Sequence, residues 1–422
     1  MNIRELEALS HGGQDWTEAF QTAIGQLRAQ GGGVLTVPAG VYPTGSIRLY
    51  DNMTLEIQSG AFLRFLQEEA AFPLIPLEFE GVAGLMHQAC IFAQGAENVT
   101  VTGRGVVDGQ GEYWWNKRRA GKLSHPRPYL VCFADCRHVL LENVTLTNSP
   151  AWTVHPLRCQ DVTIRGLLIR NPWDSPNTDG IDPDACQDVR ILDCTIDVGD
   201  DCIAVKSGTE ATRNRQPSER IIISNCHFLH GHGGVVLGSE MSGNIRNVVV
   251  SSCVFHQTDR GVRLKTRRGR GGVVEGIQLF NLTMEKVMCP FVFNMYYFCG
   301  PDGKSDWVRD KAARPADDTT PMLRDVSITG VRARGCSACA GFFYGLPEMP
   351  VEGVTFTDVV VEMDPDGAPD YPAMMDDCPK MQGAGLYLRN ARGVRLSGVK
   401  VLGVQGDTLD ADDSVQVEAQ GL

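Results

Sequence analysis

One short pattern recurs along most of this chain: a polar pair, a valine or isoleucine, then a few residues alternating apolar with polar. It reads ENVTVTGRGVV with its anchor at Val99, RHVLLENVTLT at Val139, QDVTIRGLLIR at Val162 and QDVRILDCTID at Val189. It returns as ERIIISNCHFL at Ile221, RNVVVSSCVFH at Val248, EGIQLFNLTME at Ile277, RDVSITGVRAR at Val326, EGVTFTDVVVE at Val354 and RGVRLSGVKVL at Val394. Neighbouring anchors lie about 23 to 32 residues apart, with three wider intervals of about 40 to 49. Recurrence at this period marks a solenoid, in which no unit can bury its apolar face alone and stacked units share a core. Period-two alternation broken at Gly, Asn or Asp indicates short strands, and no helical period fits inside a unit. The repeat predicts an all-β chain of stacked coils. No linker is long or polar enough to divide it, so residues 1–422 are expected to form a single domain.

The cysteines keep the same register. Cys136, Cys159 and Cys186 stand three residues before their anchors, and Cys194, Cys226 and Cys253 stand five after theirs. Equivalent positions of stacked coils lie one strand spacing apart, about 4.8 Å. These residues therefore read as interior ladders of small apolar side chains rather than disulfides or ligands. The lone CxxC, Cys336 to Cys339, has no second half to complete a zinc site. No metal and no cofactor is expected.

Ahead of the coils, DWTEAFQTAIGQLRAQGGG puts Trp16, Phe20, Ala23, Ile24 and Leu27 on one helical face and ends in three glycines. This predicts an N-terminal capping helix, with the cap and first coil filling roughly the first 50 residues. The wide intervals, Thr102 to Arg137, Lys286 to Leu323 and Met363 to Arg392, are expected to leave the stack as loops.

Acids outnumber bases by 51 to 39, for a net charge of −12. Such a surface repels polyanions at long range, which argues against nucleic acid and requires a local basic pocket for any anionic ligand. The opening MNIRELEALSHGGQDW lacks a secretory leader, and no apolar run is long enough to span a membrane, so a soluble, cytoplasmic protein is expected. Oligomeric state is left open.

Acids crowd Ser175 to Gly208, SPNTDGIDPDACQDVRILDCTIDVGDDCIAVKSG. Asp182, Asp184, Asp188, Asp193 and Asp197 follow the turn and strand grammar of the repeat. Asp179, Asp200 and Asp201 do not, since adjacent acids repel. Residues about one coil apart become neighbours in a stack, and Asp201 follows Asp179 by 22 residues, His232 follows Asp201 by 31, and Arg263 follows His232 by 31. One face then carries acids, an imidazole and a guanidinium over about 15 Å. Crowded carboxylates raise the proton affinity of at least one, so that one serves as acid while others stay bases, as cleavage of a glycosidic bond requires.

NTDGID at 177 to 182, GDDC at 199 to 202, GHGG at 231 to 234 and RLK at 263 to 265 resemble, in order, the four signatures of glycoside hydrolase family 28, the polygalacturonases and their relatives. GGGVLTVPAGVY near the start, VVDGQGEYWW and GSEMSG extend the likeness over most of the chain. The resemblance implies a right-handed parallel β-helix and hydrolysis with inversion. It implies Asp200 as general acid, Asp179 and Asp201 as the pair that positions and deprotonates water, and His232 as a group that sets the acid's proton state. It further implies Arg263 and Lys265 as the binders of a uronate carboxylate, with a sugar-stacking tyrosine in FNMYYFCG that is taken as Tyr297 over Tyr296. Lys206 departs from the asparagine of the best-known fungal endo-enzymes, through an extra substrate contact or a different subfamily. Arg267, Arg268 and Arg270 make the same stretch locally basic, as an acidic sugar requires.

The expected partner is thus an acidic galacturonide, cleaved from one end, with Trp114 and Trp115 and the loop after Lys286 walling off the groove. Competing readings are an endo-acting enzyme, a rhamnogalacturonan or xylogalacturonan hydrolase, a calcium-dependent pectate lyase, and a non-catalytic carbohydrate-binding β-helix.

Overall fold

The computed structural model describes residues 1–300 and 302–421 and folds the chain as two compact units, Met1–Asp200 and Asp201–Leu422. In the first unit, helix α1 (Thr17–Ala29) buries Phe20, Ala23, Ile24 and Leu27, the face that the apolar spacing demands. It packs on Gly33–Val37 and Ile47–Leu49, the strands of the first coil. The backbone N–H of Trp16, just ahead of it, donates to the Pro43 carbonyl at 2.7 Å.

Behind this cap run three ladders of parallel strands. One holds Gly33–Val37, Met53–Ile57, Glu97–Gly103, Arg137–Glu142, Gln160–Arg165 and Gln187–Leu192. A second holds Gly40–Thr44, Ala61–Phe65, Val106–Asp108, Thr145–Thr147, Leu168–Arg170 and Thr195–Asp197. The third holds Ile47–Leu49, Ile91–Gln94, Val131–Ala134 and Val154–Leu157.

The second unit repeats the plan. One ladder joins Ser218–Ser224, Ile245–Ser251, Val273–Glu285, Met322–Cys336, Val351–Met363, Ala391–Leu402 and Val415–Gln420. Another joins Ile203–Val205, Val235–Leu237, Arg260–Lys265, Cys289–Asn294, Cys339–Tyr344, Ala384–Arg389 and Leu409–Ala411. Each unit is therefore a run of coils of a right-handed parallel β-helix, the all-β fold expected with its N-terminal capping helix. Among the described strands, only the hairpin of Leu74–Phe79 with Val82–His87 is antiparallel. No described helix is long and apolar enough to cross a membrane.

The anchors fall in register. Val139 pairs with Val99 and Val162, and Val162 with Val189. Ile221 pairs with Val248, Val248 with Ile277, Ile277 with Val326, and Val326 with Val354. The cysteines stack as expected: the N–H of Cys136 donates to Sγ of Cys159 at 3.4 Å, and that of Cys159 to Sγ of Cys186 at 3.3 Å. All fourteen thiols are free, and all but Cys299 and Cys378 are buried.

The excursions are shorter than the repeat suggested, because each wide interval contains a further rung: Val131–Ala134, Cys289–Asn294 and Ala384–Arg389. The first two are buried at every position. A strand covered on both faces has no alternation to read. Residues 109–130, 295–321 and 364–383 are what remains outside the strands.

Candidate active site

In the first unit, the NTDGID segment continues the third ladder. The N–H of Thr153 donates to the Asp179 carbonyl at 2.8 Å and that of Val154 to Gly180 at 3.0 Å, which brings Ile181 beside Val154. Asp179 is buried on this rung. Arg127, from the 109–130 excursion, is buried against the same turn. Its Nη1 donates to the carbonyls of Pro150 at 2.7 Å and Pro176 at 2.8 Å, and its Nη2 to Oδ1 of Asn177 at 2.8 Å. Burial brings the Arg127 pKa down to about 10, with repulsion from Arg118 adding, while Glu80 and Asp179 act the other way. A carboxylate oxygen of Asp179 and one of Asp200 lie within 4.8 Å.

The second unit begins at the other acid of GDDC. Asp201 is fully buried, and the strand Arg260–Lys265 supplies its partners: Lys265 Nζ at 2.7 Å from Oδ2 and Arg263 Nη1 at 3.6 Å from Oδ1. Two-residue spacing on a strand sends both cations to one face. Burial by itself would push the Asp201 pKa up. The charges of Lys265 and Arg263, the hydrogen bond from Lys265 and the charge of Lys206 overcome it and hold the carboxyl well below its usual range. Asp201 is thus held ionised. The glycines of GHGG make room for it: a Cβ on Gly233 would stand 3.1 Å from Oδ1 of Asp201.

Arg263 and Lys265 also face the ring of Tyr297, at 5.3 Å and 5.0 Å from its centroid. Burial pushes the Tyr297 hydroxyl well up, so it stays protonated. The Tyr296 ring is engaged elsewhere, with Lys311 at 3.6 Å and Arg268 at 5.6 Å. His232 is half exposed, with Nδ1 at 2.8 Å from Oδ2 of Asp259. Burial would raise the Asp259 pKa, but the hydrogen bond from His232 and the charge of Arg260 hold it below its ordinary value. The carboxylate therefore accepts, and Nδ1 of His232 carries the proton.

The structure also gives the surroundings of three further groups singled out in the sequence. Trp114 and Trp115 are both buried, Trp114 edge-on to Phe72 at 5.4 Å, Trp115 donating from Nε1 to the Ser149 carbonyl at 3.0 Å, and of the two only Trp115 lines a surface cavity. Lys206 is ion-paired with Glu240 of GSEMSG, Nζ to Oε2 at 3.2 Å. Arg267, Arg268 and Arg270 are buried in the fold's own ion pairs, Arg267 and Arg270 with Glu210 and Arg268 with Glu348. A run of basic letters shows charge, whereas the partners come from distant segments.

The sequence reading missed Asp259, Glu240 and Arg127. For the first there was a signal: Asp259 follows His232 by 27 residues, one coil, the same rule that linked Asp201 to His232.

In the second unit one buried carboxylate, Asp201, is thus grouped with Arg263, Lys265 and Tyr297 on the coils of a parallel β-helix. The chain belongs to glycosyl hydrolases family 28, whose model matches residues 75–373. It is 34% identical over 359 residues to a probable polygalacturonase of Vitis vinifera, covering 82% of this chain and 71% of that one. The crystal structure of a hyperthermoactive exopolygalacturonase from Thermotoga maritima matches with a TM-score of 0.77 at 29% identity, over 96% of this chain and 91% of that one. A family 28 exopolygalacturonase of Yersinia enterocolitica shares the fold, with a TM-score of 0.82 at 19% identity over 99% and 78% of the two chains.

Proposed function

We propose that this chain is a polygalacturonase that hydrolyses α-1,4-linked galacturonic acid residues of pectin-derived oligogalacturonides, with inversion and from one chain end. The observation that carries the reading is the buried cationic pair. Arg263 and Lys265 are 2% and 6% exposed, and Nη2 of Arg263 makes no hydrogen bond among the described residues. Asp201 supplies one negative charge against these two buried cations, and a guanidinium with donors to spare suits a uronate carboxylate. The Tyr297 ring beside the pair offers a face for the sugar.

Each acid then has a role. Asp200 protonates the leaving oxygen as the C1–O bond breaks. Asp179 and Asp201 orient a water and take its proton as the new C1–O bond forms, and Asp201, held ionised, can accept a hydrogen bond from that water. His232, its Nδ1 held by Asp259, adjusts the proton state of the acid. Family membership and the ordered signatures support inversion. For attack from one end, the support is the Thermotoga maritima exopolygalacturonase, alike over 96% of this chain.

A proton NMR time course on polygalacturonic acid and a trimer reads both points. The expected first product is the β-anomer of a single small sugar, with viscosity nearly unchanged. A first-formed α-anomer would replace inversion with a covalent intermediate, and rapid viscosity loss with a ladder of mid-sized products would replace end-on attack with internal cuts. No cleavage of either substrate would overturn the assignment.

A further inference from the structure

One buried side chain fastens the 295–321 excursion from beneath. Arg268, 1% exposed, donates from Nη1 to the carbonyls of Trp307 at 3.1 Å and Asp310 at 2.6 Å, and from Nη2 to that of Ala312 at 3.2 Å. Glu348 holds the guanidinium in turn, 2.6 Å from Nε. A planar fork bound to three carbonyls fixes the segment that carries Lys311.

The Lys311 amine is buried and makes no hydrogen bond among the described residues. Its Nζ lies 3.6 Å from the centroid of the Tyr296 ring and 5.1 Å from that of Tyr344. The two rings meet edge to face, 5.2 Å apart at 88°, and their attraction for a cation takes the place of hydrogen bonds. Burial brings the Lys311 pKa down to about 8; the charges of Asp377 and Asp376 oppose the shift, and that of Arg268 adds to it. Cys378 faces the amine too, and on the lysine's own segment Asp310 is paired with Arg314. Burial raises the pKa of the Tyr296 and Tyr344 hydroxyls, and partial burial that of the Cys378 thiol. Of these groups, Lys311 is the one poised to change charge between pH 7 and pH 9.

Tyr296 shares a turn with the tyrosine of the uronate site. Its N–H donates to Oδ1 of Asn294 at 2.8 Å, its backbone bridges to Arg267, and the N–H of Tyr297 donates to the Thr266 carbonyl at 2.9 Å. One ring is carried to Lys311, the next to Arg263 and Lys265.

We propose that Lys311 is a positioning residue for uronate binding, whose charged amine holds the Tyr296 ring and thereby sets the face of Tyr297 beside Arg263 and Lys265. It acts through Tyr296 and not on the sugar, and the proposal rests on the polygalacturonase reading for its ligand. Its signature is a KM that climbs as the amine loses its proton, at constant kcat, since the contact aids binding and takes no part in breaking the bond.

The test measures kcat and KM on a galacturonide trimer from pH 7 to pH 9 for the full chain, Lys311→Met and Lys311→Arg. In the parent, KM should rise about fivefold across that range, the scale of one cation–π contact. Lys311→Met should show the raised KM already at pH 7 with no further rise, whereas Lys311→Arg, charged throughout, should keep the low KM to pH 9. Should Lys311→Met not fold, the profile of Lys311→Arg decides alone. A rise in Lys311→Arg equal to the parent's, or a loss of kcat in Lys311→Met with the parent's pH profile, would overturn the positioning role and leave the activity standing. A parent that neither binds nor cleaves the trimer would remove the polygalacturonase reading, and this role with it.

Discussion

Asp201 and Glu240 show how single carboxylates of the second unit are kept ionised inside the protein. Burial would raise the Glu240 pKa, but Lys206, Arg270 and Lys265 bring it down to about 2, against roughly 4.3 in an unfolded chain. Between those values the unfolded chain binds more protons than the folded one. The pair's contribution is therefore complete above about pH 4.3 and is lost as pH falls toward 2. Lys206→Met should cost about 3 kcal/mol near neutrality, as removal of one member of a buried pair does, and the gap to the parent should narrow steadily from pH 5 to pH 3. Denaturant melts at each pH would read it. A gap that stays constant would mean that Lys206 acts by packing alone. The acids themselves were legible as letters, since the signatures name Asp179, Asp200 and Asp201. The ionisation of Asp201 was not, because it depends chiefly on Lys265 and Arg263, which lie on a strand two coils further along the chain.

At the scale of elements, the repeat was a ruler for strands exposed on one face. Val139, Val162 and Val189 could be aligned by eye, and they pair in that register. Where both faces are covered, the ruler failed, as at Cys289–Asn294. The hairpin of Leu74–Phe79 with Val82–His87 also escaped it, since a single antiparallel insertion repeats nowhere. The interval Thr102 to Arg137 was expected as a loop that walls the groove with Trp114 and Trp115, and it holds a helix, α2 (Gly111–Arg119), which those tryptophans fasten down. Trp114 meets Phe72, His87 and Tyr113 with ring centroids at 5.4, 5.0 and 5.3 Å. Trp114→Ala should cost about 3–5 kcal/mol, as for large aromatic truncations in cores. Amide exchange in residues 111–119 should speed up before that of the ladder strands. Unchanged exchange in the helix would show that its hold lies elsewhere.

Across the whole molecule, the buried thiols have a practical consequence. Burial pushes the pKa of Cys132 and Cys159 well up, and only the thiolate reacts with alkylating reagents or disulfides. The cysteine ladders are therefore silent while their coils stay closed and become reactive as each opens. Cys299 and Cys378 are the two that are not buried, and they sit in the 295–321 and 364–383 excursions, so they time the loosening of those segments. Labelling the native protein under mild conditions should modify these two quickly and the other twelve only on the timescale of coil opening, resolvable residue by residue with mass spectrometry. Twelve slow thiols that reacted as one group would mean that the coils open together, whereas a spread of rates along the chain would reveal fraying from particular rungs. The same small side chains that fill the stack are a set of clocks already in place, spread along its coils, for watching a solenoid come apart.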